Sequence, residues 1–453
     1  GLWGFAYASG MSSEMRMDRC TAMAFVPHST PLSIERAKGA YLITPDGRRI
    51  LDAAGGAIVA NIGHGRAEVA EVAARALENC TYVVPPFATE ERMKLVERLT
   101  SNWLPPSLTR VTFTSGGSES VEAALRLARQ HHVSAGRTGK WKVIGTDLSY
   151  HGVSLGALSV ANHAPRRGAF EPMLIPFPKT PAPYRYLRGE ATPSEHPADA
   201  LERVILEEGP ETVAGFICEP VVGSAGGALV PVDDFWVRAR EICTKYDVLL
   251  IADEVMTGFG RTGKRFAVEH FGIEPDIMVG GKGLAGGYAP IGGLYATDAV
   301  VAPLVEARQD LMFYTFSAHP ASCAVADKVL EIMEREALVE RAARMGGLLR
   351  DRLEEVSGDP SVGAVRGMGL MLGIELVRDK ATGEPYPPEV RFAQKVSAAG
   401  IRRGVFFYTA GTGPVQDALL LGPPFTINGE DIDLLVDVLR ESLVDARAAI
   451  ERS

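Results

Sequence analysis

Two runs decide how this chain folds: VLLIADEVMTGFGRTG (residues 248–263) and IMVGGKG (residues 277–283). Each opens on a short series of large apolar residues and closes on a charged one, Asp253 with Glu254 in the first and Lys282 in the second. An almost wholly apolar run of that length, bounded by glycine and turn residues, reads as a strand buried on both faces. The interval from 253 to 282 leaves room for one helix and one further strand. Two adjacent parallel strands would then present the acid and the lysine at one rim of the sheet. Both residues are costly there. A carboxylate loses hydration unless a positive group compensates it, and a lysine withdrawn from water tends to lose its proton and become a nucleophile. Read singly, Asp253 serves equally as a turn cap, and Lys282 as a side chain snorkelling to solvent.

Outward from these strands the same alternation continues. RVTFTS (110–115), KVIGTD (142–147) and AGFICEP (214–220) are further strand candidates, separated by amphipathic stretches such as SESVEAALRLARQHH (118–132) and VDDFWVRAREICTKY (232–246). Short strands alternating with helices indicate an α/β fold with a mainly parallel sheet, whose ligands bind beyond the carboxyl ends of the strands. Upstream, residues 41–56 read as a hairpin around a Pro-Asp-Gly turn. Helices are expected over 67–80 and 89–103, the latter capped by Thr89. Beyond about residue 325, long helices, a strand pair in 364–376 and a final helix over 429–450 form a smaller α+β module. The expected division is a small-domain segment over 11–60, a large domain over 61–325 and the rest of the small domain over 326–453. Residues 1–10 are set apart as a vector-derived or disordered leader, and the Pro-rich residues 176–197 as a surface loop.

Composition narrows the function. The chain has 453 residues, 46% hydrophobic and 23% charged, with a net charge of -9. An acidic balance disfavours a nucleic-acid partner. The five cysteines are scattered without a CxxC pair, which argues against a zinc site or disulfide framework and for a reducing, cytoplasmic setting. No run approaches the length of a membrane span.

A third candidate element is FTSGGSESVEAAL (113–125). Gly116 and Gly117 let a backbone approach a ligand, and Ser118 with the following amides opens a helix, a place that attracts anions. By itself it serves equally as a Gly-rich turn with a Ser cap. It matches neither GxxxxGK[ST] nor GxGxxG, so nucleotide and Rossmann-type readings lose ground. A phosphate cradle, a buried acid and a strand-end lysine are together the anchors that pyridoxal 5'-phosphate needs.

With SGGSESVEAA, SYHG, CEPVVGSAGG, ADEVMTGFGRTG, GGKGLAGGYAPIGG and FSAHPASCA in this order, the chain resembles the class III aminotransferases of the fold-type I pyridoxal-phosphate superfamily. The resemblance implies a large, mainly parallel-sheet domain with a smaller α+β domain, and transfer of an amino group from an amine to a keto acid by ping-pong chemistry. It implies that Lys282 forms the imine with pyridoxal phosphate and shuttles the proton. It further implies that Asp253 pairs with the ring nitrogen, that Glu219 belongs to the polar shell around them, that Gly117 and Ser118 bind the phosphate, and that Tyr150 and Val255 flank the ring. Thr315 would reach the phosphate of the neighbouring subunit of a homodimer with active sites at the interface. Tyr150, Glu219 and Thr315 each also fit an ordinary structural role. His151 is given no proton-transfer role, and Arg261 is read as structural.

The resemblance is incomplete at the substrate end. Where many members carry a carboxylate-binding arginine, this chain has Leu420, and Tyr408 stands near the place of a second, mobile one. Either Arg402 or Arg403 substitutes, or the substrate is more apolar. The apolar stretch TYVVPPF (81–87) makes Tyr82 and Phe87, together with Tyr408, the expected pocket, and an amine or ω-amino donor with pyruvate as acceptor the expected reaction. The same anchors would also suit a racemase, epimerase or aminomutase.

Overall fold

The computed structural model describes residues 32–184 and 195–451. The leader lies outside the described residues, as does much of the Pro-rich stretch. At the N-terminal end, β1 (Arg36–Lys38), β2 (Tyr41–Ile43) and β3 (Arg49–Asp52) form an antiparallel meander. The expected hairpin is β2–β3.

Seven strands make the central sheet: β4 (Arg110–Thr114), β5 (Lys142–Thr146), β6 (Lys179–Thr180), β7 (Val213–Cys218), β8 (Leu249–Asp253), β9 (Ile277–Gly280) and β10 (Gly292–Ala296). Their spatial order is β4-β10-β9-β8-β7-β5-β6. Pairing is parallel from β6 through β9, while β10 runs antiparallel to both of its neighbours. The sheet is therefore mainly parallel, with one reversed strand that the sequence reading omitted: GGLYA offers two glycines and few of the branched residues that mark a strand. The interior of β7, β8 and β9 is buried throughout, as their apolar runs demand. One face is covered by the helix Gly117–Ser134, whose Val121, Ala124 and Ala128 pack with Ile217, Ile251, Ile277 and Val279. Each fully buried aliphatic side chain of this kind contributes about 1.5–3 kcal/mol.

One connection differs from expectation. Between β8 and β9 the chain forms turns and a single 3-10 turn, Ala267–His270, rather than an α-helix. Four glycines and Pro275 in that interval disfavour a continuous helix. The strands are nonetheless adjacent and parallel, with Asp253 opposite Val279.

The C-terminal part begins with the helices Pro320–Arg335 and Leu338–Glu354. It continues with β11 (Val362–Met368), β12 (Met371–Leu376), β13 (Val405–Phe406), β14 (Tyr408–Thr412) and β15 (Val415–Leu421), and ends in the helix Gly429–Glu451. β13 pairs in parallel with β3, so the N-terminal hairpin joins the C-terminal part. Among the described residues no helix is long and apolar enough to cross a membrane.

Candidate active site

The carboxyl ends of the parallel strands converge on a cavity of about 160 Å³ lined by Gly117, Ser118, Tyr150, His151, Gly152, Glu219, Asp253, Val255, Met256 and Lys282. Asp253 closes β8, Glu219 follows β7, Lys282 lies just beyond β9, and the Tyr150–His151 pair sits in the loop after β5. Residues distant in sequence meet because every parallel strand ends at the same edge.

Asp253 is 4% exposed. Its Oδ2 lies 2.7 Å from His151 Nδ1, and its Oδ1 accepts the Val255 N–H at 3.0 Å. A ring N–H donated by Nδ1 would leave His151 Nε2 as the far atom, which is buried without a partner among the described residues. The direct bond of His151 to the buried acid has no local signal in the sequence, where it reads as a structural neighbour. Glu219 accepts from the Tyr150 and Gly223 amides at 3.0 and 3.1 Å. Burial pushes its carboxyl up to about 7, with His151 opposing the rise and Asp253 adding to it.

Lys282 adopts a left-handed backbone, φ 41°. Such a conformation is uncommon for a side chain with a Cβ and persists only where the surroundings impose it. Burial lowers the Lys282 ammonium from 10.5 to about 8, against the opposing pull of Asp253 and Glu219. The neutral, nucleophilic amine is thus reached at a lower pH than for an exposed lysine.

Gly117 begins the 18-residue helix Gly117–Ser134, so its free amides face the cavity at the positive end of the helix dipole. A Cβ at Gly117 would stand 2.8 Å from Val255 Cγ1, and only glycine permits this approach. Ser118 Oγ accepts the Val153 N–H at 3.1 Å, tying the cradle to the Tyr150 loop. An anion cradle, a buried acid and a depressed-pKa lysine around one cavity match the chemistry of pyridoxal phosphate. Among the described residues no cluster of metal-binding side chains appears.

A class III aminotransferase family model matches residues 23–443. The chain belongs to the class III aminotransferases. This aminotransferase is 34% identical to the putrescine–pyruvate aminotransferase of Pseudomonas aeruginosa, over 92% of this chain and 91% of the relative. It is also 34% identical to the uncharacterised aminotransferase YodT of Bacillus subtilis, over 93% and 96%. A solved (S)-enantioselective omega-transaminase from Thermomicrobium roseum superposes with a TM-score of 0.87 at 38% identity, covering 92% of this chain and 93% of that one. The aminotransferase has the fold-type I architecture, and its family depends on pyridoxal 5'-phosphate.

The remaining predicted site residues are not brought to the cavity of a single chain. Tyr408 is buried in β14 beside Leu420 of β15, in an apolar cluster with Tyr150 and Met256, behind the cavity lining. Tyr82 is 42% and Phe87 63% exposed, and Tyr82 meets Phe316 edge-on with ring centroids 6.2 Å apart. Thr315 is exposed in the same neighbourhood. Neither substitute arginine reaches the cavity: Arg403 is committed to Glu441 and Asp445, and Arg402 is exposed at a helix end. Arg166, unnoticed in the sequence, instead lies over the Tyr150 ring, 4.2 Å from its centroid.

Proposed function

We propose that this aminotransferase moves the amino group of an amine or ω-amino compound to a keto acid, pyruvate in particular, in two half-reactions with ping-pong kinetics. The observation carrying this reading is the placement of Lys282 and Asp253 in one cavity, the lysine depressed to about 8 and the acid buried against His151. The putrescine–pyruvate aminotransferase among its relatives supports pyruvate as acceptor.

In this reading Gly117 and Ser118 hold the cofactor phosphate, Tyr150 and Val255 flank the ring, and Lys282 is the point of covalent attachment. Bound pyridoxal phosphate supplies the electron sink. Asp253, oriented by His151 and the Val255 amide, is the carboxylate that would favour a protonated ring nitrogen. Glu219 fixes the Tyr150 loop through its two amide bonds. Lys282 Nζ, once free, takes the proton from the substrate carbon as general base and delivers it in the following step as general acid.

We further assign the enzyme to a homodimer in which the partner completes the cavity. Met312, Phe313 and Phe316 are 70%, 52% and 56% exposed next to Thr315, and Tyr82 extends that surface. Apolar side chains clustered in this way favour coverage by another subunit. Thr315 would then serve the partner's phosphate site, and Tyr82 and Phe87 the substrate pocket.

The test is a panel of amines offered with pyruvate or 2-oxoglutarate. Alanine formation with pyruvate is expected, and Lys282→Ala should abolish both the visible cofactor band and turnover. Retained turnover in that variant would defeat the assignment.

A further inference from the structure

We propose that Arg166 binds the carboxylate of the keto-acid substrate, in place of the arginines absent at 408 and 420. The inference rests on the transamination reading and specifies its substrate class.

Arg166 is the third residue of the short helix Ala164–Arg167 and lies against Tyr150, which lines the cavity. Its neighbour Arg167 is fully engaged, with Glu171 and with the Leu158 and Ala161 carbonyls. Arg166 makes no ion pair among the described residues; its guanidinium carbon lies over the Tyr150 ring, 4.2 Å from the centroid, and it also hydrogen-bonds the Tyr150 side chain. A guanidinium carries five N–H donors in a planar fork, so a bond to Tyr150 leaves further donors for a carboxylate. Tyr150 itself lines the cavity together with Asp253 and Lys282. The Arg166 charge also reaches the reacting centre: after burial, which lowers the Lys282 pKa and raises that of Tyr150, it adds to the fall at Lys282 and opposes the rise at Tyr150.

Among the described residues, neither Arg403 nor Arg261 is free for this role. Position 420 is a leucine with no exposure, Arg403 is held by two carboxylates, and Arg261 is fully buried and bonded to Leu370, Pro423 and Asn61. A substrate carboxylate arriving over Tyr150 would find one uncompensated cation at hand. A bidentate, charge-assisted pair there fixes orientation as well as affinity.

With one amine donor that carries no carboxylate, the experiment compares two acceptors in the holoenzyme: pyruvate, and propanal, which lacks the carboxylate. Arg166→Leu should lower kcat/KM for pyruvate about 10- to 100-fold and leave propanal within about 3-fold. Arg166→Lys should recover part of the pyruvate loss, because it restores charge without the fork. Calorimetric binding of propionate to the holoenzyme should be lost in Arg166→Leu, a readout independent of turnover. A parallel fall with both acceptors, or unchanged use of pyruvate, would overturn the proposal. Wild-type enzyme inactive with both acceptors would instead count against the transamination reading, while propionate binding would still decide the role of Arg166.

Discussion

Asp253 is nearly dry, yet both of its oxygens are engaged, one by an imidazole and one by a backbone amide. That combination satisfies a carboxylate that burial alone would leave without partners. Asp253→Asn keeps the shape and removes the charge. Loss of the charge that would face the ring nitrogen should lower kcat by about 100-fold, on the order of 2.7 kcal/mol of transition-state stabilisation, with the fold retained, as measured by steady-state kinetics and circular dichroism. At Lys282 the sign of the pH effect is fixed by the direction of its shift. The neutral amine is the nucleophile, and lowering its pKa from 10.5 to about 8 makes that form available earlier. Capture of pyridoxal phosphate by apoenzyme, followed by its absorbance, should therefore accelerate with rising pH and level off above about 8; a rise continuing toward 10.5 would contradict the geometry. Both residues were legible in sequence because each breaks an apolar run at its end. His151 and Arg166 were not. A histidine next to a tyrosine and one arginine of a pair carry no local pattern that separates a surface role from a site role, and only the fold decides which of Arg166 and Arg167 is left uncompensated.

At the scale of elements, the site depends on how closely the helix Gly117–Ser134 approaches the loop after β8. Val255 is β-branched and stiff, so the side chain that a Cβ at Gly117 would strike cannot easily give way. Gly117→Ala should weaken cofactor retention about 10-fold or more on the scale of overpacking penalties of ~1–3 kcal/mol. The double substitution with Val255→Ala should recover a substantial part, as read by equilibrium dialysis; an additive loss would show the two residues to be uncoupled. The parallel strands were readable because burial on both faces leaves continuous apolar runs. β10 was not, because its Gly292 and Gly293 pack where larger side chains have no room: a Cβ on Gly293 would lie 2.1 Å from the Tyr295 hydroxyl. The β8–β9 link was misread for a different reason. Spacing suggests a helix whenever enough residues intervene, whereas GFGRTG spends them on turns.

For the whole molecule, the two halves of the N- and C-terminal region meet through β3 and β13, a pairing of residues more than 350 positions apart that no local signal announces. The exposed aromatic surface around Phe313 and Phe316 bears on assembly. Phe316→Asp should shift sedimentation toward monomer and depress activity together, because the proposed cavity needs its partner; an active monomer would refute that dependence. The expected substrate roles of Tyr82 and Phe87 stand or fall with the same measurement, since within one chain they do not reach the cavity.

Arg261 has a consequence of another kind. One guanidinium with no exposure bridges the carbonyls of Leu370 and Pro423 and the side chain of Asn61, and it lies over Phe425 at 4.7 Å. Three stretches that are remote along the polypeptide are thereby stitched at a single knot. Loosening any one of them strands a cation in oil, so they should open to solvent deuterium as one cooperative block rather than fray separately.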